Sequence, residues 1–324
     1  MRIAYLFFAY KNPGLIQKTI QRLACEGCAF FIHIDKKSDL KSFSGIRGSN
    51  IFFVEERLQV GWAEFSGVEA ILLLMRKAVG SGQAFDYLVL LSGSEYPLRS
   101  GDYIRNFLIA NQGTEFINLV QLPNLKAGKP MSRITTRRFP TTRPVARFVF
   151  RALAKFGLAE RDYKKHLGTL KPCGGNTWWT LTRPACEYIL KFHDENRRIA
   201  KYFENVFAPE EYFIHTVIGN SPFNARRRRS LVFEDWSAGG GHPAMINQTH
   251  LQMFRSSQEI TLDDVHGSGE LLFARKLSDE QLSLTDDIDE IIRAKEAKLT
   301  RVADAPRTLK NAGVPADAGG GSRT

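Results

Sequence analysis

Ala29-Phe30-Phe31-Ile32-His33-Ile34, followed at residues 35–38 by Asp35-Lys36-Lys37-Ser38, is the stretch on which the fold reading turns. Its apolar residues do not alternate with polar ones, as they would in a strand with one wet face. A short continuous apolar run that breaks into charged and small residues is a strand buried on both faces, the habit of parallel sheets. Working outward, Ile3–Tyr10 is a second such run, closed by Lys11-Asn12-Pro13-Gly14, and Gly14–Leu23 reads as the helix between them. Ile51–Val54 and Tyr87–Leu91 are further strands, and Glu115–Asn118 is a fifth. Between the third and fourth lies an amphipathic helix with Phe65, Val68, Leu72, Met75 and Val79 at spacings of three and four. Strands alternating with helices predict an α/β fold with a mainly parallel sheet covered on both faces.

From about Leu122 to Leu170 the alternation stops, and arginines, lysines, Pro140 and Pro144 accumulate around aromatic stretches near Phe148 and Tyr163. This reads as a basic insertion over the sheet, either part of an acceptor site, a membrane-facing surface or a solvated excursion. Alternation resumes at Thr177–Leu181, with helices from Pro184 to His193 and opening at Pro209, and strands at Ser230–Glu234 and Leu271–Ala274. A last helix starts at Ser278, with Ser278 and Gln281 as a capping box and Leu277 and Leu282 as its staple. One domain over residues 1–299 is expected, with a disordered tail over 300–324 rich in Ala, Gly, Pro and Arg.

Composition fits a globular enzyme: 324 residues, 43% hydrophobic and 24% charged. The net charge of +11 favours anionic partners. No apolar run approaches the ~18 residues of a membrane span, and the opening segment reads as strand and turn rather than a signal peptide; a cytoplasmic enzyme is expected. Cys25-Glu26-Gly27-Cys28 is an isolated C-x-x-C, without the second pair or spaced histidines that a zinc site needs.

Five motifs carry candidate chemistry. In His33-Ile34-Asp35-Lys36-Lys37-Ser38, a carboxylate follows a strand where open α/β sheets bind nucleotides, although the same pattern makes a turn. In Leu91-Ser92-Gly93-Ser94-Glu95-Tyr96-Pro97-Leu98, a buried strand runs into small residues and an acid. In Gly174-Gly175-Asn176-Thr177-Trp178-Trp179, adjacent tryptophans on a strand point to opposite faces, so one can pack inside while the other meets a sugar; both can also be core. Pro209-Glu210-Glu211-Tyr212-Phe213 puts two acids in a first helical turn, suited to a general base or simply to the helix dipole. His215, one turn on, either orients that base or is structural. Leu272-Phe273-Ala274-Arg275-Lys276 ends a strand in two cations, suited to a departing diphosphate or to solvent.

In this order, with an aromatic segment at Trp62–Ser66 and an EDW…GHP stretch (Glu234-Asp235-Trp236, Gly241-His242-Pro243), the motifs resemble the Core-2/I-branching β-1,6-N-acetylglucosaminyltransferases, a family that includes peptide O-xylosyltransferases. The resemblance runs from about Ile3 to Leu277. It implies a Rossmann-like GT-A fold and an inverting, metal-independent transfer from a UDP-sugar, N-acetylglucosamine first, to a hydroxyl of a glycan or lipid-linked acceptor. Peptide O-xylosyl transfer from UDP-xylose is the alternative. By resemblance, Glu211 is the base. Asp35, Trp62, Ser94, Arg275 and Lys276 bind the donor, the last two in place of a metal. Glu95, Trp178 and Trp179 line the acceptor. No cofactor is expected, and the one D-x-D, Asp287-Ile288-Asp289, falls in the last helix as a solvated acidic face.

Two departures stand out. Tyr10 ends the first strand where many relatives carry histidine, and Val232 occupies an arginine position four before the tryptophan of the DW motif. The second diphosphate cation is thereby open, with Arg226–Arg229 as a substitute. Animal members carry a membrane anchor and disulfides, so a bacterial-type cytoplasmic enzyme is expected, with peripheral contact to anionic membrane through residues 133–165 or Arg226–Arg229. A nucleic-acid-binding protein is the rival of another class. It calls for basic residues interleaved with aromatics on one face or a reading module, and neither is visible.

Overall fold

The structure, a computed structural model, describes residues 1–138 and 160–304. The main sheet forms because its central strands have no polar face to leave in water. Strands β1 (Ile3–Ala9), β2 (Cys28–Ile34), β3 (Ile51–Phe53) and β4 (Tyr87–Leu91) run parallel in the order β3–β2–β1–β4. Nearly every side chain of β1, β2 and β4 is buried. After β5 (Glu95–Pro97), the chain returns to the main sheet as β6 (Glu115–Ile117). It then passes through β7 (Val120–Gln121) and β8 (Cys173–Gly174) to β9 (Trp179–Thr182), which inserts antiparallel between β4 and β6. Strand β10 (Arg227–Arg228) lies outside β6. The order 3–2–1–4–9–6–10 is a Rossmann-like sheet in which one strand is reversed.

Helices Pro13–Leu23 and Phe65–Val79 arise where expected, the second burying Phe65, Val68, Leu72 and Met75. A second, three-stranded sheet joins β11 (Val232–Glu234), β14 (Phe273–Arg275) and β5. It has its own apolar core, in which Tyr96, Leu98, Leu271 and Ala274 pack with Phe254, Ile288 and Ile292. Strands β12 (Thr261–Asp264) and β13 (Gly267–Glu270) form a hairpin beside it.

The basic insertion leaves and returns at one place. Strands β7 and β8 pair antiparallel, and Leu122 N donates to Pro172 O at 2.9 Å. Residues 139–159, including much of the basic surface expected to face a membrane, lie outside the described residues. The last helix, Leu282–Asp304, continues past the expected tail boundary at 300; residues 305–324 lie outside the described residues. Among those described, no helix is long and apolar enough to cross a membrane.

Three local expectations are corrected. Ser278 and Gln281 form no side-chain capping box: Ser278 Oγ is buried without a partner and Gln281 Nε2 donates to Ile246 O at 2.9 Å. The neighbouring Asp279 instead caps a distant helix, accepting from Gly14 N at 3.1 Å and Leu15 N at 2.7 Å, where a carboxylate satisfies orphan amides and the helix dipole. Asp289 of the D-x-D is not simply solvated; it accepts from Tyr96 Oη at 3.0 Å and pairs with Arg22 at 3.4 Å. The helix expected to open at Pro209 is a three-residue 3-10 turn, Pro209–Glu211, and the α-helix begins only at Phe213. Tyr212, at φ −131° and ψ −40°, breaks the two apart, so Glu211 and His215 do not share a helical face.

Candidate active site

Open α/β sheets bind ligands beyond the carboxyl ends of their strands, where the winding direction reverses. Here that is the end of β1 and its neighbours, and the loops that leave it are tied into a closed ring. Asp35 N donates to Ala9 O at 2.9 Å and Ser38 Oγ to Tyr10 O at 2.7 Å, joining the loops after β2 and β1. Arg57 stitches the next loop on, donating to Ile34 O, Asp35 O and Ser38 O at 2.6–3.0 Å. Buried His33 accepts from Leu58 N through Nε2 at 3.0 Å, and burial pushes its pKa down, which keeps it neutral. Past Trp62, Ala63 O accepts from Ala208 N at 3.2 Å, bringing in the Pro209-Glu210-Glu211 turn. Glu211 O accepts from Gly175 N at 3.0 Å, and Asn176 Nδ2 donates to Glu234.

The second sheet continues the ring. Its register places Glu234, Arg275 and Glu95 side by side on three adjacent strands. Arg275 pairs with both acids, reaching Glu234 at 3.3 Å, and also donates to Ser92 Oγ at 2.8 Å. Leu277 N donates to Ser94 O at 2.9 Å, and Asn12 Nδ2 donates to Gly93 O at 2.7 Å, which closes the circuit back at β1.

Two glycines show how tightly these loops meet. A Cβ on Gly175 would lie 1.5 Å from Asn118 O, and one on Gly93 would lie 2.7 Å from Lys11 O. The three non-glycine residues with left-handed backbone among those described, Asn12, Ala63 and Ala208, all belong to this ring. Such conformations cost free energy and persist only where the surroundings over-determine them.

The expected site residues fare differently inside this frame. Asp35 is buried; its Oδ1 accepts from Lys37 N at 2.9 Å and its Oδ2 has Lys37 Nζ at 3.6 Å, so it holds its own turn while leaving one oxygen loosely engaged. Trp62 is 66% exposed, with its ring edge-on to Phe207 at 5.5 Å and to His242 at 6.4 Å, a flat face open at the rim. Lys276 is half-buried with no ion-pair partner among the described residues. Burial, then Arg275, then Lys11 push its pKa below the ordinary lysine value.

Other assignments are corrected. Glu95 does not face an acceptor: its carboxylate is enclosed, taking Ser92 N at 2.5 Å and Arg275. Ser94 is buried and receives Asn12 Nδ2 at 3.3 Å, which makes it a link between loops. Trp179 is core, and Trp178 is covered by the Arg275 guanidinium at 4.5 Å, so neither offers an open sugar platform. Arg275, held by two carboxylates, is not a free diphosphate cation. The proposed substitutes, Arg226–Arg229, lie on and beside the edge strand β10, about 19 Å of sheet away from β1. There Arg227 donates to Leu119 O and Arg229 pairs with Asp264 at 3.3 Å. Cys25 and Cys28 are free thiols in the turn entering β2, at the end opposite the ring.

The paired acids separate sharply. Glu211 is partly exposed and accepts from Lys129 Nζ, which also lies 5.4 Å above the Tyr212 ring. Glu210 Oε2 is shut away without a hydrogen-bond partner, and burial, reinforced by the Glu211 charge, raises its pKa to about 8. His215 is fully buried. Its Nε2–H donates to Asn176 O at 3.0 Å, and burial and the Lys129 charge push its pKa down to about 3. It is therefore neutral and holds the Asn176 loop; it does not orient Glu211. Sequence reasoning missed Lys129 and Asn176 as members of the site. Asn176 stood within a quoted motif, whereas Lys129 carried no signal beyond its charge.

The Glu210 environment has a measurable consequence. The folded protein keeps the Glu210 proton up to about pH 8, whereas the unfolded chain releases it near 4.5. Stability therefore falls as pH rises between those values. Wild-type Tm is expected to drop relative to that of Glu210→Gln from about pH 5 to about pH 8. A constant gap between the two melting curves across that range would mark Glu210 as an ordinary solvated acid.

The profile of the Core-2/I-branching enzymes matches residues 3–260. The chain belongs to the Core-2/I-branching enzyme family. It is similar to xylosyltransferase oxt of Drosophila pseudoobscura pseudoobscura, 25% identical over 214 residues, which is 64% of this chain and 23% of the relative. It is also similar to human xylosyltransferase 2, at 24% over 229 residues, 68% of this chain and 25% of the relative. Mouse xylosyltransferase 1 matches at 23% over 212 residues, 60% of this chain and 19% of the relative. The matches thus span about a quarter or less of the relatives' length.

Proposed function

We propose that this protein is a glycosyltransferase that moves a sugar from a UDP-sugar to a hydroxyl by a single inverting displacement that needs no metal ion. The observation that carries the reading is the ring itself. It gathers an accessible carboxylate, Glu211, and an unpaired cation, Lys276, at the ligand-binding end of the sheet. The acceptor O–H gives its proton to Glu211 as oxygen attacks the anomeric carbon. The bond from that carbon to the diphosphate breaks, and UDP leaves with the electron pair. Lys276 stabilises the charge that grows on the departing phosphate. Burial raises the Glu210 pKa toward the protonated form, which favours Glu211 as the base. Trp62 offers its open face, and Asp35 its loosely held oxygen, to the uridine.

The donor is UDP-N-acetylglucosamine or UDP-xylose, and the names of the similar xylosyltransferases favour the second. A glycan, lipid-linked or peptide hydroxyl is the acceptor class. Donor hydrolysis or transfer measured with a panel of UDP-sugars, with and without EDTA, tests both points. Turnover with the preferred donor is expected to be the same in EDTA. Loss of turnover with EDTA and its return with manganese would overturn the metal-free mechanism.

A further inference from the structure

We propose that Lys11, in the loop after β1, is the second cation of the diphosphate site, acting opposite Lys276 on the leaving group; this rests on the nucleotide-sugar reading above. The case begins with charge. The row Glu234–Arg275–Glu95 holds one guanidinium between two carboxylates, so Arg275 brings no surplus positive charge to the site. Around the ring, Lys37 is taken up by Val60 O and Asp35, Arg57 by three carbonyls, and Lys129 by Glu211. Among the described residues, Lys11, Lys36 and Lys276 are the ring cations without an acidic or carbonyl partner, and Lys11 sits on the loop tied to that of Lys276.

A set of contacts brings the Lys11 and Lys276 loops together. Lys11 O packs so closely on Gly93 that a Cβ there would stand 2.7 Å from it. The next residue, Asn12, donates to Gly93 O and Ser94 Oγ, while Ser94 O receives Leu277 N, immediately after Lys276. Asp279 N donates back to Asn12 Oδ1 at 3.4 Å, and the Asp279 carboxylate caps the helix that follows Lys11. Asn12 holds its left-handed backbone, φ 61°, at the centre of this knot. The Lys11 side chain is exposed, lying over the Tyr10 ring at 5.4 Å, and its charge is felt at Lys276, whose pKa it helps to lower.

Two unpaired ammonium groups on adjacent, mutually tied loops repel each other until an anion sits between them. A diphosphate supplies that anion, and its bridging geometry suits two point charges better than one. Nothing comparable is offered to the nucleoside, so Lys11 should read the phosphates alone.

Calorimetric titration of the full chain with UDP and with uridine separates the terms. Lys11→Met is expected to weaken UDP binding by about 10-fold or more, the scale for losing a charge-assisted contact, and to leave uridine binding unchanged. Lys11→Arg should restore UDP binding. A control at the exposed Lys77, near the end of the helix Phe65–Val79 away from the ring, Lys77→Met, should bind both as wild type does, and equal melting temperatures establish that each variant is folded. Wild-type affinity for UDP in Lys11→Met overturns the role of Lys11 and leaves the nucleotide-sugar reading standing. Failure of the wild-type protein to bind UDP at all overturns that reading and this proposal together.

Discussion

Glu211→Gln is expected to reduce turnover by ~10²–10⁴-fold, the usual contribution of a general base, while UDP affinity stays close to wild type. The substitution keeps size and hydrogen-bonding capacity and removes only the basicity. It also leaves Lys129 without its anionic partner, so a small change in acceptor KM is expected alongside the large change in kcat. Glu210→Gln is the matched control one residue away. Its amide resembles the protonated acid already present at neutral pH, so turnover should be little affected. Measured together, the two variants decide which carboxylate acts. A reversed pattern means that the chemistry belongs to Glu210. Full activity in both means that the turn is only a structural link between Ala63 and Gly175.

Lys276→Ala should lower turnover by ~100-fold or more, the scale for removing one electrostatic stabiliser of a developing charge. The loss belongs in kcat more than in KM, because the phosphate charge that Lys276 meets grows as the glycosidic bond breaks. Single-turnover measurement with a saturating UDP-sugar isolates that step. A near-wild-type rate would make Lys276 a solvated charge that happens to follow β14.

The two sheets differ in how far they could be read beforehand. Strands β1, β2 and β4 announce themselves because burial on both faces leaves an unbroken apolar run, a signal contained within seven residues or fewer. The Pro209–Glu211 turn was harder. Its acids suit the start of an α-helix, and only the tertiary contacts that bend the backbone at Tyr212 separate it from His215. Glu95 shows a different limit. An acid after a strand suits a ligand or an ion pair equally, and what decides is its register against Arg275, 180 residues later. Lys129 and Glu211, 82 residues apart, meet for similarly non-local reasons. Local periodicity carries none of this, whereas the order of the motifs along the chain carried the family.

The closed ring of loops has a consequence for how such a chain can change length. Its links join residues distant in sequence: Leu277 follows Ser94 by 183 residues and Asp279 follows Asn12 by 267, yet one hydrogen bond brings each pair to about 3 Å. Between those fixed points the chain is free to lengthen wherever it leaves and returns at one place, as it does between β7 and β8. Doubling such an excursion costs only about 0.6 kcal/mol in closure entropy, less than a single well-made buried contact. Excursion length is therefore nearly decoupled from the geometry of the ring, and inserted segments of very different size can be carried on one frame.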